Sequence, residues 1–127
     1  MFSSLRISAL AAVVVSLAAC TFELPPIASA SLSRYEAGAP VSNRSLSPSQ
    51  SRVLETWFAE RASGWSASYA SYAPSLQVRV AHKNGQESVA NLVGHKVIVY
   101  GSFGQYEQQF SAESIAKLRS LIRANDD

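Results

Sequence analysis

The feature that most constrains the fold of this chain is a short apolar run that ends at its only cysteine. Residues 7–19 are apolar except for Ser8 and Ser16, Arg6 precedes them, and Cys20 follows. Thirteen residues of helix span roughly 20 Å, short of the ~30 Å hydrocarbon core of a bilayer. A positive charge, a short apolar stretch and small residues are typical of a secretory signal peptide. Residues 1–19 are therefore excluded from the predicted fold, and one cysteine rules out an internal disulfide.

The end of this run resembles the lipobox of bacterial lipoproteins. It reads Leu17-Ala18-Ala19-Cys20, an apolar residue and two small residues directly before cysteine. The resemblance implies cleavage between Ala19 and Cys20, a diacylglyceryl group on the Cys20 sulfur, and usually acylation of the new amino group. Two or three acyl chains form a stable membrane anchor, whereas a single chain binds only marginally.

The same resemblance implies a location in the cell envelope. Residue two of the mature chain is Thr21 and not aspartate, which by likeness to enterobacterial sorting favours the outer membrane, with the protein facing the periplasm. The inner membrane and the cell surface stay open as alternatives. Without Arg6 the net charge falls from +2 to +1, which is too small to indicate a nucleic-acid partner.

Residues 20–46 show no sustained helical or strand period, and we expect a lipidated cysteine followed by a flexible tether. Half of residues 21–46 are Ser, Pro, Ala or Gly, and three prolines interrupt regular structure. A flexible chain of this length would hold the folded domain on average roughly 25–30 Å from its lipid. The alternative is a short motif that docks onto the domain or onto a partner, formed by Phe22, Leu24, Ile27 and Tyr35.

Two amphipathic helices are predicted at the ends of a domain over residues 47–127. Residues 47–50 form a capping box with proline at the first helical position, and Gly64 ends that helix. Ser111 caps the second helix, and Glu113 lies in its first turn. The apolar stripes are Val53, Leu54, Trp57 and Phe58 in the first helix and Ile115, Leu118, Leu121 and Ile122 in the second.

Between the helices the pattern predicts an antiparallel meander of four or five strands. The predicted strands are residues 65–74, 76–80, 86–93, 96–100 and 106–110. Asn84-Gly85 is a hairpin signal. The register stays open, since a two-residue loop pairs Val80 with Val89 and a three-residue loop pairs Val78 with Ala90. The predicted fold is α+β, a two-layer sandwich with the order α-β-β-β-β-α.

The sequence offers little for catalysis. The two histidines, His82 and His95, lack a third ligand at a characteristic spacing, so we expect no metal site. The carboxylates fall on separate elements, and no nucleophile or nucleotide-binding motif is present. We therefore expect neither a cofactor nor an enzyme; a small hydrolase with an unrecognised site is the least favoured alternative.

Binding is the function that the remaining pattern favours. Tyr and Trp are enriched at interfaces, which makes an exposed aromatic patch possible at Tyr69, Tyr72, Phe103 and Tyr106. An edge strand, residues 65–72 or 106–110, is a second candidate surface because it could accept a partner strand. Our leading hypothesis is a lipid-anchored envelope protein whose domain binds another protein, as an assembly accessory or an inhibitor. The alternative is a module that binds glycan or lipid through its aromatic residues.

Overall fold

The computed structural model describes residues 21–123, so the predicted signal peptide and Cys20 lie outside the described residues. The fold is α+β, as predicted, with one seven-stranded antiparallel sheet and two helices. The helices are α1 (Pro48–Ala59) and α2 (Ala112–Arg123). The strands are β1 (Ile27–Glu36), β2 (Ala39–Ser45), β3 (Ser66–Ala67), β4 (Leu76–His82), β5 (Glu87–Val93), β6 (Lys96–Gly101) and β7 (Gly104–Gln109). The order across the sheet is β2-β1-β4-β5-β6-β7-β3.

Both helices begin where the sequence predicts. The Ser47 hydroxyl accepts a hydrogen bond from the Gln50 main-chain N–H, and the Gln50 side chain accepts one from the Ser47 N–H. The capping box is thereby confirmed. The Ser111 hydroxyl accepts a hydrogen bond from the Ser114 N–H at 3.1 Å. Helix α1 ends at Ala59, earlier than the predicted end at Gly64.

Alternate strand residues build the core together with the helices. Leu32, Val78, Ala90 and Val99 are successive partners across β1, β4, β5 and β6, and all four pack in one cluster with residues of both helices. We call this side of the sheet the cluster face and the other side the open face. The cluster members from the helices are Leu54, Trp57, Phe58, Ile115, Leu118 and Ile122.

The β4–β5 hairpin settles the register that the sequence left open. Val78 pairs with Ala90, and the His82 N–H donates to the Gln86 carbonyl at 2.8 Å. Three residues therefore form the loop, and Gly85 adopts φ 86° within it. This left-handed conformation is accessible to glycine at little cost.

The prediction of a flexible tether over residues 20–46 is wrong for most of that segment. Strands β1 and β2 form a hairpin, and β1 lies inside the sheet between β2 and β4. Phe22, Ile27 and Leu32 are each less than 7 % exposed. The prediction fails because the serines in β1 alternate with Ala30 and Leu32, so a strand of small residues resembles a low-complexity linker.

The predicted strand over residues 65–74 is also wrong in extent, and the count of four or five strands is too low. Only β3 pairs there, with Ser66 opposite Glu107 and Ala67 opposite Tyr106. Residues 68–75, which we call the crossing segment, then run from β3, at the edge beside β7, back to the start of β4. Two strands in the N-terminal hairpin, which the sequence did not predict, account for the larger sheet.

Candidate binding surface

The open face is polar over β1 because of the sequence of that strand. Ala30 and Leu32 point into the cluster face, so Ser29, Ser31 and Ser33 point to the open face. Serine side chains are short, and they leave this half of the open face recessed compared with a strand of large residues.

A trough with a volume of about 500 Å³ lies over this recess and extends across β4 and β5. Arg79, Glu87 and Tyr100 supply its large polar side chains. Arg79 and Glu87 are exposed, and neither forms an ion pair with another residue of the described range 21–123. The trough therefore presents a guanidinium and a carboxylate to solvent beside hydroxyl groups.

A row of hydrogen-bonded side chains borders the trough. The Gln77 amide donates to Asn91 Oδ1 at 2.9 Å, and the Tyr35 hydroxyl donates to Gln77 Oε1 at 3.3 Å. Gln77 and Asn91 are both 8 % exposed. The two bonds join β1, β4 and β5 through side chains on the open face.

Strand β2 forms an open edge of the sheet directly beside the trough. All seven of its residues are exposed except Arg44, which is half-buried. The Leu46 N–H donates to the Ala30 carbonyl, and hydrogen-bonding residues alternate in an antiparallel ladder. The main-chain groups of Asn43 and Ser45 therefore point away from β1. Within the described residues no strand covers them.

A charged cluster fastens the crossing segment to the other half of the open face. Lys96 Nζ lies 2.8 Å from Glu107 Oε2, and the Tyr72 hydroxyl donates to Glu107 Oε1 at 3.1 Å. The hydrogen bond to Glu107, followed by the one to Tyr72, raises the pKa of Lys96. The hydrogen bond from Lys96 lowers the pKa of Glu107. Both groups therefore hold their charges in the neutral range, and Ile98 beneath the crossing segment is only 1 % exposed.

The four aromatic residues of the predicted patch occupy three different environments. Tyr69 is 96 % exposed. Tyr72 is half-buried in the charged cluster. The rings of Phe103 and Tyr106 pack against Phe22, with centroids 5.0 and 5.4 Å from its ring. Tyr69 and Tyr106 line one further concavity of about 430 Å³, together with Tyr100.

The two histidines have different environments. His95 is exposed in the turn before β6. His82 is 4 % exposed, its Nδ1 lies 2.9 Å from the Pro25 carbonyl oxygen, and its Nε2 lies 2.7 Å from the Ser88 hydroxyl. A serine hydroxyl hydrogen-bonded to an imidazole can act as a nucleophile, because the imidazole can accept its proton. Ser88 is only 3 % exposed, and the pair fastens the N-terminal segment to β4 and β5.

Sequence reasoning missed the trough and the β2 edge because it missed the strands that form them. The available signal was the alternation of serine with Ala30 and Leu32, followed by Ala37-Gly38 as a two-residue turn. Both turn residues have positive φ, 51° and 80°, as tight hairpin turns of this kind require.

Comparison with known proteins gives no relative. No family model matches the chain, and no curated protein and no solved structure shows a significant similarity to it. Within residues 21–123 no group of three or more His, Cys, Asp or Glu side chains is placed to hold a metal ion. No helix in this part of the chain is long and apolar enough to cross a membrane.

Proposed function

We propose that this protein is a lipid-anchored envelope protein whose folded domain binds another protein through strand β2 and the adjacent trough. The lipid is carried by Cys20, and by resemblance the protein faces the periplasm from the outer membrane. The two helices form one layer over the cluster face, a two-layer arrangement that leaves the open face to the partner. The proposed activity is binding, with no catalytic step.

The open edge of β2 is the observation that supports this proposal. An exposed edge strand is a template for pairing with another chain, and folded proteins usually blunt it with charge or proline. In β2 the one proline, Pro40, lies next to the turn, and the only charged side chain is that of Arg44, which donates to the Ile122 carbonyl at the end of α2. The stretch from Val41 to Asn43 carries neither device. An extended segment that pairs with β2 would lie three strand spacings, about 14 Å, from β4. The part of the partner that continues from this segment over β1 would cover the trough, where Arg79 fits an acidic residue.

In-cell crosslinking tests the β2 part of the proposal. A photo-crosslinker at Val41, which is 46 % exposed, should capture one discrete partner in native membranes. Ser45→Pro removes an outward N–H donor and should reduce this capture, because an added strand needs that hydrogen bond. Ser45→Ala keeps the N–H and is the matched control. Capture that is equal in both variants would refute pairing at β2.

A second pair of variants tests the trough. Arg79→Gln should weaken capture of the same partner if Arg79 contacts an acidic side chain. Arg52→Gln changes an exposed arginine on α1 and should leave capture unchanged. Equal capture by the two variants would show that the trough takes no part in binding.

Glycan binding is a second candidate function, favoured by the concavity beside Tyr69. Tyr69 is almost fully exposed and shares a concavity with Tyr100, Tyr106 and Gln105. Aromatic faces beside an amide suit a sugar ring, which offers apolar faces and hydroxyl groups. The protein should then sediment with purified cell wall, and Tyr69→Ala should abolish sedimentation while Tyr35→Phe leaves it unchanged.

A further inference from the structure

The first described residues are fastened tightly to the folded domain. Thr21 forms a β-bridge with Ser63, and the Phe22 N–H donates to the Ala62 carbonyl at 2.8 Å. Phe22 is 6 % exposed, and its ring centroid lies 5.5 Å from that of Trp65. The chain is therefore held in place from Thr21 onward, and there is no spacer between this point and the core.

The lipid would consequently leave the protein at a fixed point of its surface. Successive Cα atoms are ~3.8 Å apart across a trans peptide bond, so a lipid on the residue before Thr21 would be joined to the domain at the Thr21–Ser63 bridge. We propose that the domain lies directly against the bilayer, with the β3–β7 edge of the sheet towards the lipid headgroups and β2 on the far side. This inference rests on the proposed lipid anchor at Cys20.

The chemistry of the β3 edge fits a membrane surface. Residues 63–71 carry no charged side chain, and Ser66 and Ala67 of β3 are exposed. Tyr69, the most exposed large aromatic residue of the described chain, lies two residues after the end of β3. Tyrosine has an apolar ring and a polar tip, and it is enriched at the level of the headgroups.

The order of the strands then sets the distance of the binding edge from the membrane. Strand β2 is five strand spacings from β7, which corresponds to ~24 Å at about 4.8 Å per spacing. The open edge of β2 would thus face away from the lipid, where a partner in the periplasm can reach it, and the trough would open to the side, parallel to the membrane. In this arrangement the lipid is joined directly to the folded domain at Thr21, without the flexible tether that the sequence predicts.

Quenching by headgroup-labelled lipid tests this orientation. The lipidated full chain is placed in vesicles of phosphatidylethanolamine and phosphatidylglycerol that contain a nitroxide-headgroup lipid. Because Cys20 is acylated, a cysteine introduced as Ser66→Cys or Ser42→Cys carries the only free thiol and takes a fluorophore. Both serines are exposed. We expect several-fold stronger quenching at position 66 than at position 42; equal quenching, or stronger quenching at position 42, would refute the orientation.

A spacer variant tests whether the direct connection is the cause. Twenty Gly and Ser residues inserted between Cys20 and Thr21 give an average reach of roughly 25 Å and should remove the difference in quenching. If the difference persists, attraction of the surface for lipid sets the orientation, and the fixed connection is refuted as its cause.

Palmitate labelling separates failure of this inference from failure of the anchor. If wild type does not label, or if Cys20→Ser still labels, the lipid anchor itself is wrong. The orientation is then measured on residues 20–127 coupled through the Cys20 thiol to a maleimide lipid, with a fluorescent non-natural residue at position 66 or 42. Stronger quenching at position 66 would support the fixed connection, and equal quenching would refute it.

Discussion

The β1–β2 and β4–β5 hairpins are built on the same plan but differ in how much their sequences reveal. Each joins two antiparallel strands through a turn that contains a glycine with positive φ. In β4 the core positions hold Leu76, Val78 and Val80, whereas β1 contributes Ile27, Ala30 and Leu32, with serines at the positions beside the last two. The comparison shows that a strand can enter a sheet on a few buried apolar residues when one neighbouring strand, here β4, is apolar.

Removal of the β1–β2 hairpin should have the largest effect. A chain that begins at Ser47 should not fold cooperatively, because β4 loses its partner along seven register pairs and Val78 and Val80 lose cover. Near-UV circular dichroism and a denaturant titration measure this loss. A chain that begins at Thr21 should unfold in one cooperative transition. Cooperative folding of both chains would show that the hairpin is an appendage.

Truncation of one leucine in each hairpin compares them residue by residue. Leu32→Ala in β1 and Leu92→Ala in β5 should each lower the free energy of unfolding by about 2–5 kcal/mol, since both side chains are buried in the cluster. Ser31→Ala lies on the open face and is the control, with an expected change of less than ~0.5 kcal/mol. If Leu32→Ala resembles the control in urea denaturation, β1 is not part of the core.

In both turns a methyl group at a residue with positive φ should be destabilising, so adding one should lower stability and removing one should raise it. Gly38→Ala and Gly85→Ala should each destabilise by about 1 kcal/mol, because both positions have positive φ and open space around Cα. Ala37→Gly should stabilise by up to ~1 kcal/mol, since Ala37 occupies φ 51°. Thermal unfolding checks all three. A destabilising Ala37→Gly would contradict the left-handed conformation at that residue.

The smallest effect that we expect is a dependence of stability on pH, from the Lys96–Glu107 pair on β6 and β7, outside both hairpins. The lowered pKa of Glu107 means that the unfolded chain takes up its proton first, so the stabilisation is present above about pH 4.5 and declines as the pH falls. The raised pKa of Lys96 reverses this, and its contribution declines as the pH rises above about 10.5.

The measurement is the difference in unfolding midpoint between wild type and Glu107→Gln. That difference should be positive at neutral pH and should shrink below pH 4.5. Asn43→Ser, a polar change in β2 that adds no titratable group, is the control whose difference should stay constant with pH. A difference for Glu107→Gln that does not vary with pH would show that the Lys96–Glu107 pair contributes nothing measurable.

The elements that the sequence predicted correctly are those whose local pattern of residues is enough to identify them without knowledge of their tertiary contacts. Helices α1 and α2 have caps and apolar stripes, and β4, β5 and β6 have alternating or continuous apolar residues. Residues 68–75 are the opposite case, since Tyr69 and Tyr72 alternate with small residues as in a strand. Yet this segment bonds through side chains to Gln105 and Glu107, because the chain must cross from β3 to β4.

The candidate surface was less predictable than the fold. The sequence pointed to aromatic residues, but Phe103 and Tyr106 are placed against Phe22, a residue 81 or more positions away along the chain. Whether a ring is buried depends on side chains that are distant in the sequence, which a local pattern does not reveal.

The trough exists because the serine side chains of β1 are short and leave space above the strand, and a sequence pattern does not show such a space.

The sequence by itself determined both helices, the central hairpin, the α+β class and the prediction of a lipid at Cys20, because each rests on a local pattern of a few residues. The tertiary structure decided the role of residues 21–46. Their small residues and prolines show no sustained strand period, and only pairing with β4 and burial of Phe22 beside Trp65 make them part of the fold. The predicted tether thereby becomes, from Thr21 onward, part of the folded domain with two strands of its own.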